Sequence, residues 1–344
     1  MIKAFFRDNR VHKKIVPNMD WIFLFNISYF FILWMVFCWG MGSSYYSQNL
    51  NSNYFSVDIA LYDFVFFLGL SLLLGGVNIH NQLDDLNYLL DWPLSDENNH
   101  KKQLNLYYVC PNFIKVKPAK ICSIVCIFVG VLIISMYSFL TLTFLIVYCY
   151  LNLFIYKKYI VIASYKHFVL RCIFILLSHF ILFLSGWVYF GLNSYISIIN
   201  YIPLFLMAVL PIVLINEVIS YDKYSNQEKD KRTFIFKNKK YIAFLSLLLM
   251  SLLFCVSYFV YSDPITAHFS IINIPFLLYA FIRAKNKDYT RSIVYPIMVS
   301  NILLSWTLFP FLFVAQFVVF YLSKYYYWHR FNFHFPKFAI DENE

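Results

Sequence analysis

Two stretches combine amides, carboxylates and bases at spacings that could hold a metal and a phosphate. The first is "NQLDDLNYLLDWP", residues 81–93, which ends an apolar run that is nearly free of charge. Counting from Asn81, Asp84, Asp85, Tyr88 and Asp91 follow at three, four, seven and ten residues, and Asn78 precedes by three. On a helix that continues past the membrane surface, those offsets lie on one face. Amide and carboxylate oxygens converging there suit Mg²⁺, which takes oxygen ligands, keeps several waters and is commonly shared with substrate phosphates. The plainer reading is a solvated helix end. The second stretch, "LINEVISYDKYSNQEKDKRTF" (214–234), carries Glu217 and Asp222 and then Lys229, Lys231 and Arg232. Carboxylates for a cation beside Lys and Arg for phosphate oxygens make a plausible diphosphate site. On an unbroken helix, however, Asp222 lies about 140° round from Glu217. Both can serve one site only if the helix ends or kinks near Ser220. Asn152, Tyr156, Lys158, Lys166 and Arg171, in "LNLFIYKKYIVIASYKHFVLR" (151–171), are further phosphate candidates, though anchoring at the membrane surface also explains bases there.

The elements that must position these residues are membrane helices. Of 344 residues, 61% are apolar and 13% charged, where a soluble chain carries about a quarter charged. Apolar runs cover 20–40, 57–79, 119–137, 139–156, 168–190, 201–219, 241–261, 265–282 and 292–323, and about 20 residues suffice to cross a bilayer. No alternating pattern of β-barrel strands is evident. The expected fold is therefore all-α: a polytopic bundle of nine transmembrane helices. Ten result if Pro310 divides the long last run. A basic arm (1–18), a transmembrane domain (19–323) and an interfacial tail (324–344) complete the chain.

All 28 Lys and Arg fall in 1–18, 101–120, 157–171, 220–240, 283–291 and the tail after Tyr321. Basic residues gather on the cytoplasmic side, so the N-terminus and both acidic loops are expected inside, in a multi-pass protein of a bacterial inner membrane. With nine crossings Lys324, Arg330 and Lys337 fall outside, against the rule; with ten they return inside. The net charge of +10 then reads as topology and attraction to anionic lipid, and no nucleic-acid partner is expected. The basic arm has no apolar core or cleavage site, so no signal peptide is expected there. The seven Cys read as packing residues, Cys122 and Cys126 included. The two acidic loops lie about 135 residues apart, which suggests two four-helix halves of similar layout.

These segments resemble the UbiA superfamily of intramembrane prenyltransferases. "NQLDDLNYLLDWP" is similar to its first aspartate-rich motif, N-(D/Q)-x-x-D-x-x-x-D, and "NEVISYDKYSNQEKDKRTF" to its second, N-E-I-x-D-(Y/V)-E-x-D with a basic-basic-Thr end. "LNLFIYKK" resembles the Y-N-x-x-Y segment. The order of the segments, after apolar runs 2, 4 and 6, also matches. Carried over, Asn81, Gln82 and Asp85 take the first motif's positions, while Leu89 stands at its last Asp. Asn216, Glu217 and Asp222 match the second motif, whereas Ser220 and Tyr224 replace its Asp residues. The resemblance implies Asp85 and Asp222 as catalytic, with Asn81, Asp85 and Asp222 holding Mg²⁺. It also implies Gln82, Asp84, Asp91 and Glu217 around the cation. Asn152, Tyr156, Lys158, Lys166, Arg171, Lys231 and Arg232 would hold the diphosphate.

Three functions follow from this reading. The first is transfer of a prenyl group from an isoprenyl diphosphate to an aromatic or other lipophilic acceptor inside the bilayer. Mg²⁺ would neutralise the leaving group and aromatic faces would hold the allylic cation. The second is a non-catalytic relative that binds an isoprenoid. The third is a transporter, for which the mid-membrane His179, Asn301 and Gln316 would be path candidates.

Overall fold

In the computed structural model, the described residues are 10–27, 30–48, 61–90, 113–155, 168–190, 195–224, 239–283, 286–308 and 310–331. Among them no strand occurs. The helices are α1 (Arg10–Phe23), α2 (Phe30–Gln48), α3 (Leu61–Leu90), α4 (Val116–Ser135), α5 (Phe139–Tyr150) and α6 (Phe168–Trp187), then α7 (Tyr195–Tyr224), α8 (Lys239–Cys255), α9 (Pro264–Arg283), α10 (Asn286–Leu308) and α11 (Pro310–Phe331). Among the described residues, five helical stretches are long and apolar enough to cross a bilayer: 63–83, 116–135, 198–215, 239–260 and 264–283. Shorter apolar helices cover 30–45, 139–155, 172–187 and 291–304. The chain is a multi-pass helical membrane protein.

Two of the expected runs are divided. The run 20–40 is not one helix, because α1 closes in a turn at Leu24–Phe25 and Asn26 adopts φ 51. Asn tolerates the left-handed region better than most residues; Asn26 N–H donates to Phe23 O at 3.0 Å as the helix ends. The run 292–323 is divided between α10 and α11. Pro310 opens α11, where a missing N–H costs nothing because first-turn donors have no intrahelical partner. At 23 and 22 residues, each of these helices is about 33 Å long, although neither is among the five stretches long and apolar enough to cross.

The chain forms two compact units. The first comprises 1–30, 58–171 and 314–336. Here α3 packs along α4 through small residues. A Cβ on Gly76 would stand 2.8 Å from Ser123 O, and one on Gly130 would stand 2.8 Å from Gly69 O. Ser123 Oγ donates to Gly76 O at 2.7 Å. Such close approach is how membrane helices associate without a hydrophobic drive between them. The opposite face of α4 is the reverse of a soluble helix: Ile121, Ile124, Val125, Phe128 and Leu132 are exposed while Ala119, Ser123 and Gly130 are buried. That face meets lipid. Beside these helices, α1 is tied to α11: Tyr326 Oη donates to Asp20 Oδ1 at 2.6 Å, and Arg330 Nη2 to Asp20 Oδ2 at 2.7 Å. Phe23 stacks on Tyr326 at 3.9 Å. Gly75 lets the Phe25 ring settle against α3, and the Asn78 amide reaches Phe25 O in a long 3.5 Å contact.

The second unit comprises 31–57, 172–313 and 337–344. Its helices α2 and α6 cross at Gly40 and Gly186, where an added Cβ would meet Phe183 O and Phe37 O, each at 2.1 Å. Next to the crossing Trp39 stacks on Phe205 and Phe269 and sits edge-on to Phe183. The indole Nε1–H of Trp39 donates to Thr266 Oγ1 at 2.9 Å. Asn301 ties α10 to α2 by donating to Phe31 O at 2.8 Å.

Candidate functional site

α3 is a 30-residue helix that runs from Leu61 to Leu90 without a break. Residues 84–90 continue the same helix past Leu83, a rise of about 10 Å. This is the extension on which the sequence reading depended, and it places Asn81 and Asp85, four apart, on one face. Asn81 and Gln82 are half-buried. The Asn81 Oδ1 atom is buried and accepts from no donor among the described residues. A buried amide oxygen without a donor costs about 1–3 kcal/mol, and it is the ligand type Mg²⁺ takes. The side chains of Asp84 and Asp85, and Asp91 altogether, lie outside the described residues.

The second motif sits on an equally long helix. α7 runs 30 residues, from Tyr195 to Tyr224, and residues 216–224 continue it past Ile215. It does not end near Ser220. Glu217 and Asp222 therefore stay about 140° apart, and the condition for both to serve one site is not met by the backbone. Asp222 falls on the row of Leu204, Ala208 and Ile215, all buried, whereas Glu217 falls on the row of the exposed Leu206. The side chains of both acids lie outside the described residues.

Asn152 lies in a π-helical continuation of α5 over 151–155. It is buried, and its amide donates to Tyr148 O at 2.9 Å. Wide turns of this kind recur at functional positions because they displace one residue from the helical register. Tyr156, Lys158, Lys166, Lys231 and Arg232 lie outside the described residues, as does the side chain of Arg171. The mid-membrane candidates are buried or half-buried helix polar groups: His179 Nδ1 lies 2.8 Å from Ile175 O one turn back, and Gln316 is buried in α11. Cys122 and Cys126 face each other at 3.9 Å. No group of three or more His, Cys, Asp or Glu forms a metal cluster among the described residues.

Three buried acids outside the motifs, Asp20, Asp263 and Asp288, were missed from sequence; Asp288 lies 3.4 Å from Arg283 and 3.5 Å from Arg291. Asp20 shares its helical row with the buried Val16 and Phe23, and an acid on such a row was a readable sign of a buried pair. Burial pushes its carboxyl up, against the downward pull of the Tyr326 hydroxyl and the Arg330 guanidinium. Arg330 also lies 3.5 Å over the Phe113 ring. Asp263 caps α9: Oδ1 accepts from Ile265 N at 3.0 Å and Thr266 N at 3.4 Å, and Oδ2 from Thr266 Oγ1 at 2.5 Å. The Tyr201 hydroxyl donates to it as well. "SDPIT" (262–266), with Asp before Pro, is a helix-start signal that a closer reading would have found. Burial raises the Asp263 carboxyl, and it forms no ion pair among the described residues.

No protein-family model, curated protein or solved structure matches this chain.

Proposed function

We propose that the chain is a Mg²⁺-dependent prenyltransferase of UbiA type, moving a prenyl group from an isoprenyl diphosphate to a lipophilic acceptor within the bilayer. The observation that carries this reading is α3: one unbroken helix from Leu61 to Leu90, with Asn81 and Asp85 on one face and Asn81 Oδ1 buried without a donor among the described residues. The resemblance assigns Asn81, Asp85 and Asp222 to the cation. When bound, Mg²⁺ would supply charge neutralisation for the departing diphosphate. Asn152, Tyr156, Lys158, Lys166, Arg171, Lys231 and Arg232 remain the candidates for the phosphate oxygens, adding electrostatic stabilisation in a site shielded from bulk water.

The reading places both motif-bearing helix ends at the cytoplasmic face of a bacterial inner membrane. Ten crossings, α2 to α11, are favoured over nine. The Asp20–Arg330 pair is 2.7 Å long, and two such groups cannot stand on opposite sides of a hydrocarbon layer about 30 Å thick. On this reading the N-terminal arm and the tail would share a side, the number of crossings would be even, and all 28 Lys and Arg would fall inside. α1 is then outside the count.

The test is incubation of membranes holding the protein with labelled isoprenyl diphosphates, with and without Mg²⁺, scoring diphosphate release. Release that needs Mg²⁺ and disappears in Asp85→Asn at equal expression is expected. A second reading, an isoprenoid-binding relative without catalysis, is favoured by Leu89, Ser220 and Tyr224 at motif Asp positions and by the divergence of Glu217 from Asp222. Binding of the diphosphates without release at any chain length would select it.

A further inference from the structure

We infer that the end of the first unit formed by α1 and the start of α4 is a docking surface for anionic phospholipid headgroups. α1 is inverted relative to a helix of a soluble protein. Its acid, Asp20, is buried against Tyr326 and Arg330, while Trp21 and Ile22 are each 46% exposed. Lys14 is exposed with them, and the spacings 14, 18, 21, 22 put these residues on one face. An outward face of Trp and Ile with a Lys is suited to the boundary between headgroups and acyl chains.

The neighbouring element supplies the charge. Phe113 lies beneath Arg330, which is paired to Asp20, so the chain entering α4 adjoins α1. Lys115, Lys117 and Lys120 follow, and all three are exposed. Directly after them begins the exposed apolar stripe of α4, with Ile121 at 64% and Phe128 at 62%. A stem that follows lipid tails below and carries ammonium groups above matches a phospholipid along its length. Asp20 is occupied by Tyr326 and Arg330, and among the described residues no salt bridge involves the four lysines. Four exposed ammonium groups beside an exposed apolar stripe call for an anionic lipid rather than a zwitterionic one.

The test uses the full-length protein in neutral detergent, titrated with phosphatidylglycerol or phosphatidylcholine, with bound lipid counted by native mass spectrometry. Wild type should retain phosphatidylglycerol in preference. Joint replacement of Lys14, Lys115, Lys117 and Lys120 by Gln should weaken that lipid by about fivefold per lysine removed and leave phosphatidylcholine unchanged. Trp21→Ala should reduce both lipids alike. Should the fourfold variant fail to fold, Lys117→Gln alone, an exposed single change, should still lose about fivefold. Equal retention of the two lipids by wild type would overturn the inference. So would an unaltered preference in Lys117→Gln, or an equal loss when Lys239 and Lys240 on α8 are changed to Gln instead.

Discussion

At the scale of single residues, the most consequential groups are acids that the protein buries. Removing Arg330 leaves the Asp20 carboxylate without its cation in a site where that side chain is 6% exposed. Breaking one partner of a buried pair costs about 3–5 kcal/mol, and with Arg330 one-fifth exposed the lower end applies, about 3 kcal/mol for Arg330→Met. Asp20→Asn combined with Arg330→Met should be milder than Arg330→Met alone, because no buried charge remains unpaired. Detergent-based unfolding of the three variants tests this ordering. Asp263 makes a different prediction. Burial raises its pKa in the folded state, so the stability linked to its neutral form is complete below the unfolded value, near 4, and is lost as pH rises through the folded one. The thermal midpoint of wild type should therefore fall relative to Asp263→Asn as pH climbs from about 4 towards neutrality. Parallel profiles for the two proteins would refute a titrating Asp263.

At the scale of elements, two glycines of similar crowding should behave differently. A Cβ on Gly40 would meet a backbone carbonyl oxygen at 2.1 Å, whereas one on Gly75 would meet the Phe25 ring edge at 2.4 Å. A helix backbone cannot step aside without moving the whole crossing, while a ring can turn. Gly40→Ala should cost about 3 kcal/mol and Gly75→Ala about 1 kcal/mol or less, read as shifts in unfolding midpoint. The unbroken course of α7 separates its two acids functionally as well. Asp222 continues the buried row of Leu204, Ala208 and Ile215, so Asp222→Asn should remove most Mg²⁺-dependent diphosphate release and Glu217→Gln should remove little. The opposite ranking would mean that α7 meets the site with its other face.

For the molecule as a whole, the pairing of α1 with α11 supports the proposal of an even number of crossings. Cysteines introduced in 1–9 and 338–344 should be labelled by an impermeant reagent from the same side, and one in 43–55 from the other. Labelling of the two termini from opposite sides would restore an odd number of crossings. The two acidic loops should label with the termini, since all belong to the basic face.

The sequence by itself determined the solvent of this protein, because the lengths of apolar runs and the positions of 28 basic residues are properties of the chain alone. It also made legible the motif residues of α3, whose four-residue spacing needs only a helix that continues. It could not decide whether the run 292–323 crosses once or twice. The division of that run into α10 and α11 and the Arg330–Asp20 bond, 310 residues apart, bear on the question, and hydropathy is blind to a partner at such a distance. For α7, spacing gives the angle between Glu217 and Asp222, but whether the helix stops between them is set by its surroundings, and it runs on to Tyr224. Nor could spacing reveal that Asn81 Oδ1 is buried without a donor, or that Gly40 and Gly186 let two helices touch. Burial and contact arise only when separate helices share a volume, and that was left to the tertiary structure.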